Sequence, residues 1–196
     1  MTTFVQMLLT ALLAVTAENI LFAGGIGFSH ALRAGRRPKT LGLYSIFVTV
    51  FTLISMVSGS LLAPLLAGSE TLTVLRPAIL ALCAAAAYIA ASFVIKTFFS
   101  QFYRKYGKLL SPAAINTVVL SMPYVLKSFK LSLPDAVGFA LGTGAAFFLA
   151  ALVFSRTSES CKNADMPKAF SGLPAVLLYI GILSMAFAGF TGGKLF

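Results

Sequence analysis

The stretch FVQMLLTALLAVTAENILFAGGIGFSHAL, residues 4–32, decides how the rest of the chain is read. A helix needs about 20 apolar residues to cross roughly 30 Å of hydrocarbon, and this run has more than enough. It carries one acid, Glu18, beside Asn19, and gathers Gly24, Gly25 and Gly27 in its second half. Glycine loosens a helix, and a broken helix is tolerated at membrane depth where it faces protein or a cavity. The expectation is a helix to about Phe22, then a broken or re-entrant piece to about Leu32.

Five further apolar runs follow: Leu41 to Ala67, Pro77 to Ile95, Leu109 to Leu126, Ala136 to Ser155 and Ser171 to Gly193. Pro77 suits the first position of its helix. The fourth run is interrupted by Pro112, Asn116 and Pro123. Composition agrees with membrane burial. Of 196 residues 59% are hydrophobic and 10% charged, with a mean hydropathy of +0.95. A soluble domain needs about 25% charge to solvate its surface. The fold class read from this is an all-α integral membrane protein of six transmembrane helices, with spans 1 and 4 broken. One transmembrane domain, 1–196, accounts for the length. Met1-Thr2-Thr3 lacks a basic leader region, so no cleavable signal peptide is expected.

The net charge of +10 does not indicate nucleic acid, because the cations sit in short loops and form no basic face. Eleven of the fifteen Lys and Arg residues fall after runs 1, 3 and 5, and four fall on the other side. The positive-inside rule then places both termini outside the cytoplasm, in a bacterial inner membrane. Three spans per half would make repeats of about 1–100 and 101–196 opposite in orientation. Ala17-Glu18-Asn19 has a counterpart in Ala114-Ile115-Asn116, each followed by a helix breaker, Gly24-Gly25 in one half and Pro123 in the other. Inverted repeats with paired broken helices tend to hold a functional site near the bilayer midplane.

Glu18 is the one ionisable side chain deep in a span, and an ionised carboxylate there costs about 2.5–3.5 kcal/mol on insertion scales. It reads as a proton or cation site or a partner anchor; the bland alternative is a neutral acid bonded to a nearby amide. The amides of Asn19 and Asn116 suit helix capping, cation coordination or bonds between helices. A single histidine, His30, excludes a multi-histidine metal or haem site. Cys83 reads as core packing and Cys161 as a free thiol in a polar loop; neither suggests a disulfide or a metal site. Gly138, Gly142 and Gly144 mark a helix face open to close approach. No nucleophile elbow, phosphate-binding loop or nucleotide fingerprint is present, so nothing resembles a self-sufficient enzyme.

Several stretches resemble the Rnf/Nqr integral-membrane subunit family, and its Rnf A-type or Nqr E-type branch most of all. In the first half these are Ala17-Glu18-Asn19-Ile20-Leu21 and Gly27-Phe28-Ser29. In the second they are Phe102-Tyr103-Arg104, and Leu110-Ser111-Pro112 through Asn116. The C-terminal third is similar over Ala164-Asp165-Met166-Pro167 to Phe170-Ser171-Gly172, and again over Leu183 to Gly192. The resemblance implies one of two homologous six-helix subunits of opposite orientation, within an ion-translocating electron-transport complex. It also implies an iron–sulfur cluster shared between the two, held by membrane cysteines. Here Ser29 stands at the first of those positions and Thr117 (or Val118, one gap away) at the second. Cluster irons require thiolates, so no cluster is expected on this chain.

The expected function is therefore a cluster-free membrane subunit of an Rnf/Nqr-type complex, at most non-catalytic, that serves as scaffold or ion path. Glu18, Asn19 and Asn116 would line the midplane. The partners would be membrane lipid, the homologous six-helix protein of opposite orientation and the other subunits of the complex. The rival reading is a stand-alone carrier or channel for a small solute or ion on the same fold.

Overall fold

The structure, a computed structural model, describes residues 3–66, 70–160, 167 and 171–190. Cys161 and most of the 161–170 loop lie outside the described residues, as does the end of the chain after 190. Described residues form helices and turns with no strand. The helices are α1 (Thr3–Val15), α2 (Phe28–Gly35), α3 (Pro38–Leu66), α4 (Glu70–Phe98) and α5 (Ser100–Tyr106). They continue, after a 3-10 turn at Gly107–Leu109, with α6 (Leu110–Ala114), α7 (Thr117–Ser128), α8 (Leu133–Ser160) and α9 (Leu173–Phe190).

Three helices are long and apolar enough to cross a membrane, within α3, α4 and α8. A fourth crossing arises if Ser100–Ala114 and Thr117–Ser128, bent by 41° at a short break, form one span. The helices α1 and α9 are apolar but shorter. Thirteen residues of α1 rise about 20 Å, which is less than the hydrocarbon thickness. Large apolar side chains remain outside, among them Phe4, Val74, Phe98 and Met185, each more than two-thirds exposed. Water would not leave such a surface bare; lipid or another apolar chain is its solvent.

The core is organised around α8. A side chain at Gly138 would meet the α1 backbone at Met7, and one at Gly142 would meet Ala11. Gly144 faces Thr49 of α3 in the same way. The expectation that this glycine face admits a close helix is met twice, by α1 and by α3. Gly35 in α2 lies against the α8 backbone at Ala151 and Ser155. Small residues allow backbones to approach, and dispersion takes over from the hydrophobic effect as the attraction in lipid. Phe139, Phe147 and Phe154 fill the spaces between and are fully buried.

Three boundaries differ from the sequence reading. Helix α1 stops at Val15 and not near Phe22, because the hydroxyl and amide side chains of Thr16 and Asn19 take backbone carbonyls one turn back. Pro77 does not begin a helix: α4 starts at Glu70 and runs through it, with no glycine or second proline in between to stop it. Pro123 does not break its span either, and lies inside α7. A proline at 123 removes the N–H that would bond the Val119 carbonyl. Ser55 of α3 supplies the replacement, its hydroxyl donating to Val119 O at 2.7 Å. Gly59, one turn further along α3, leaves room for the proline ring.

Candidate functional site at the two helix breaks

Two of the helix interruptions among the described residues lie at a buried asparagine. The first interruption is the turn-rich stretch between Val15 and Phe28. Asn19, 2% exposed, organises it. Its Nδ2 donates to Val15 O at 2.9 Å, and its Oδ1 accepts from the Leu21 and Phe22 amides at 3.1 and 3.3 Å. It thus ends one helix and caps the turn that follows. Backbone bonds from Ala23, Gly24 and Gly25 back to Asn19, Ile20 and Leu21 complete that turn. Gly25 closes it at φ +66°, a left-handed backbone that side-chain-bearing residues avoid.

The second interruption is Ile115–Asn116, between α6 and α7. Asn116 is the N-cap of α7, fully buried, with its Oδ1 accepting from the Val118 amide at 3.1 Å. Its Nδ2 is also buried and makes no hydrogen bond of acceptable geometry among the described residues. The Tyr44 hydroxyl lies close to it but donates to Pro112 O at 3.0 Å.

The two breaks touch. Gly27, at φ +81°, is the residue before α2, and a Cβ there would overlap the Val118 side chain and stand 3.4 Å from Asn116 Oδ1. The half-helices α2 and α7 therefore begin side by side, each directly after its break. Ser29 lies in the first turn of α2 and Thr117 opens α7, both exposed. These are the positions at which the resemblance implies cluster cysteines, with Val118 the alternative to Thr117, and none of the three carries a thiol. The donor set does not fit an iron–sulfur cluster, which needs thiolates. No group of three or more His, Cys, Asp or Glu side chains comes together among the described residues. Cys83 is half-buried on α4.

Glu18 lies in the first break, beside Asn19. Its amide donates to Leu13 O at 2.9 Å, and its side chain is partly exposed. It follows the exposed α1 residues Leu8, Leu9, Leu12 and Leu13. Gly24 is exposed in the first break. Pro123 serves α3–α7 packing as described above.

The sequence reading missed Tyr44 and Ser55, and named Val118 only as the alternative to Thr117. Each acts on a residue distant in sequence, and none has a local signature. It also treated the basic loops only as a topology signal. The structure gathers them: Arg33 and Arg37 from the α2–α3 region share one cavity with Lys108. Arg36 lines another with Ser155 and Glu159 at the end of α8 and Leu173 at the start of α9.

Comparison with known proteins agrees with the resemblance. A family model described as "Rnf-Nqr subunit, membrane protein" matches residues 7–193. The A component of the ion-translocating oxidoreductase complex of Glaesserella parasuis is 26% identical over 193 residues, covering 96% of this chain and 97% of that protein. The A component of the proton-translocating ferredoxin:NAD(+) oxidoreductase complex of Clostridium ljungdahlii is 30% identical over 99 residues, about half of each chain (50% and 51%). Its counterpart in the Na(+)-translocating ferredoxin:NAD(+) oxidoreductase complex of Acetobacterium woodii is 28% identical over 102 residues, 52% of this chain and 53% of that one.

Proposed function

Because this chain belongs to the Rnf-Nqr family of membrane subunits, we propose that it is an A-type component of an ion-translocating ferredoxin:NAD⁺ oxidoreductase complex that carries no iron–sulfur cluster of its own. The observation that carries this reading is the pair of abutting half-helix starts, with Ser29 and Thr117 where thiolates would be needed. The junction keeps the backbone architecture that a metal site would use, and lacks its ligands. The chain then contributes scaffold or an ion path to the complex, in place of an electron-transfer step.

The finer architecture belongs to the same proposal. We take α1 with its break and α2 as span 1, and α5 to α7 as span 4, which makes six spans in two inverted three-helix repeats. The placing of a buried asparagine at each of the two breaks supports this. The gathering of the three basic loop regions on one face supports an orientation with those loops in the cytoplasm and both termini outside it. A homologous subunit of opposite orientation would cover the exposed end of the junction.

Relatives named for protons and for Na⁺ share the family, so the transported ion follows from flux and not from kinship. Glu18 is the candidate coupling carboxylate: it is partly exposed at a helix break and a partner helix would bury it. Purification from host membranes in mild detergent tests the assignment. Flavoprotein and iron–sulfur chains are expected to co-purify, and a lone homo-oligomer would contradict it. In the same complex returned to vesicles, Glu18→Gln should lower ion flux about tenfold or more; unaltered flux removes Glu18 from the path.

A further inference from the structure

The cavity of about 220 Å³ between α2, the start of α3 and the Lys108–Pro112 stretch is built differently from the rest of the surface. The exposed side chains of Arg33 and Arg37 from the α2–α3 region and of Lys108 from the 3-10 turn line it, and Leu41, Leu109 and the buried Tyr44 make its inner wall. Among the described residues the one ion pair is Arg156–Glu159, and none of these three cations has a carboxylate partner there. Three like charges brought to one concavity repel one another, and low-dielectric walls concentrate their field. Such an arrangement is stable when an anion occupies it.

We propose that this cavity binds a phosphate group. Two guanidinium groups match the paired oxygens of a phosphate, and the ammonium adds a point charge. The volume exceeds that of several water molecules, at about 30 Å³ each, which leaves room for a tetrahedral anion. The site lies among the basic loops at the end of the membrane helices. Two sources of phosphate are therefore at hand, the headgroup of an anionic phospholipid and free phosphate. Basic pockets between membrane helices are a recognised way of holding such headgroups. The apolar wall at Leu41 and Leu109 would continue onto the acyl chains. The site is separate from the role proposed above, and its test reads binding and not ion flux.

The full-length chain, placed in phosphatidylcholine nanodiscs, is titrated with phosphatidylglycerol in one arm and with inorganic phosphate in the other. Bound lipid is read by native mass spectrometry, and thermal stability is followed in both arms. The wild-type chain should retain one tightly held phosphatidylglycerol, or be stabilised by inorganic phosphate. The triple variant Arg33→Gln, Arg37→Gln, Lys108→Gln should bind roughly tenfold or more weakly. A second triple variant, Lys127→Gln, Lys130→Gln, Arg156→Gln, removes equal charge elsewhere and should bind as wild type. The charge-keeping variant Arg33→Lys, Arg37→Lys, Lys108→Arg should bind more weakly than wild type but better than the glutamine triple, which separates lost binding from lost folding. Retention of lipid without a phosphate effect identifies the headgroup, and stabilisation by phosphate alone identifies the free ion; either supports the site. Equal losses in both glutamine triples, or no binding in either arm, overturn it.

Discussion

The two breaks solve one problem with different means. Each must satisfy backbone groups freed from a helix in a place without water. The first takes a dozen residues, uses both ends of the Asn19 amide and closes on glycines at positive φ. The second takes two residues and uses one oxygen of Asn116, leaving the nitrogen buried and unbonded among the described residues. The long break pairs both ends of its asparagine amide within its own sequence, whereas the short one pairs only the oxygen there. Beside the short break stands the long one, through Gly27.

The largest effect should come from Gly27. Gly27→Ala adds a side chain at φ +81° that overlaps Val118, and left-handed strain and overpacking together should cost about 2–5 kcal/mol. Gly25→Ala shares the positive φ but opens onto empty space, so about 1 kcal/mol is expected. Thermal unfolding in detergent checks the pair. Equal shifts would mean that the breaks do not meet at Gly27.

The asparagines come next. Asn19→Ala strands one carbonyl and two amides in a buried turn, and should destabilise by about 2–4 kcal/mol. Asn116→Ala loses one capping bond and should cost about 1–2 kcal/mol. Comparing their unfolding midpoints tests the asymmetry, and the reverse order would contradict it.

The Ser55–Val119 bond gives the smallest effect. Ser55→Ala should cost about 1 kcal/mol, as bonds between membrane helices do. In a Pro123→Ala background the restored N–H can serve Val119 O, so the same change should cost less. A double-mutant cycle with no coupling would show that the serine does not compensate the proline.

These contrasts also mark what the sequence could reveal. Apolar runs and sparse charge were enough for an integral membrane fold, and α3 and α8 lie where those runs lie. The first break was legible from Gly24, Gly25 and Gly27, but not its beginning, because Asn19 ends the helix through side-chain bonds that no periodicity records. Pro77 and Pro123 looked like a start and a stop by local rules. The helix continues through Pro123 because a hydroxyl on α3, 64 residues from Val119, takes the carbonyl that the proline leaves unpaired. Asn19 and Asn116 were visible as a pair; that Gly27 joins the second break required coordinates.

The proposed cluster-free role rests on two abutting helix starts that carry Ser29 and Thr117 where the resemblance implies cysteines. Iron quantification with electron paramagnetic resonance on the purified full-length chain tests this most directly. No stoichiometric iron and no cluster signal are expected in the reduced sample, because Ser29 and Thr117 offer hydroxyls where thiolates are required. Stoichiometric iron with a cluster signal from this chain would contradict it.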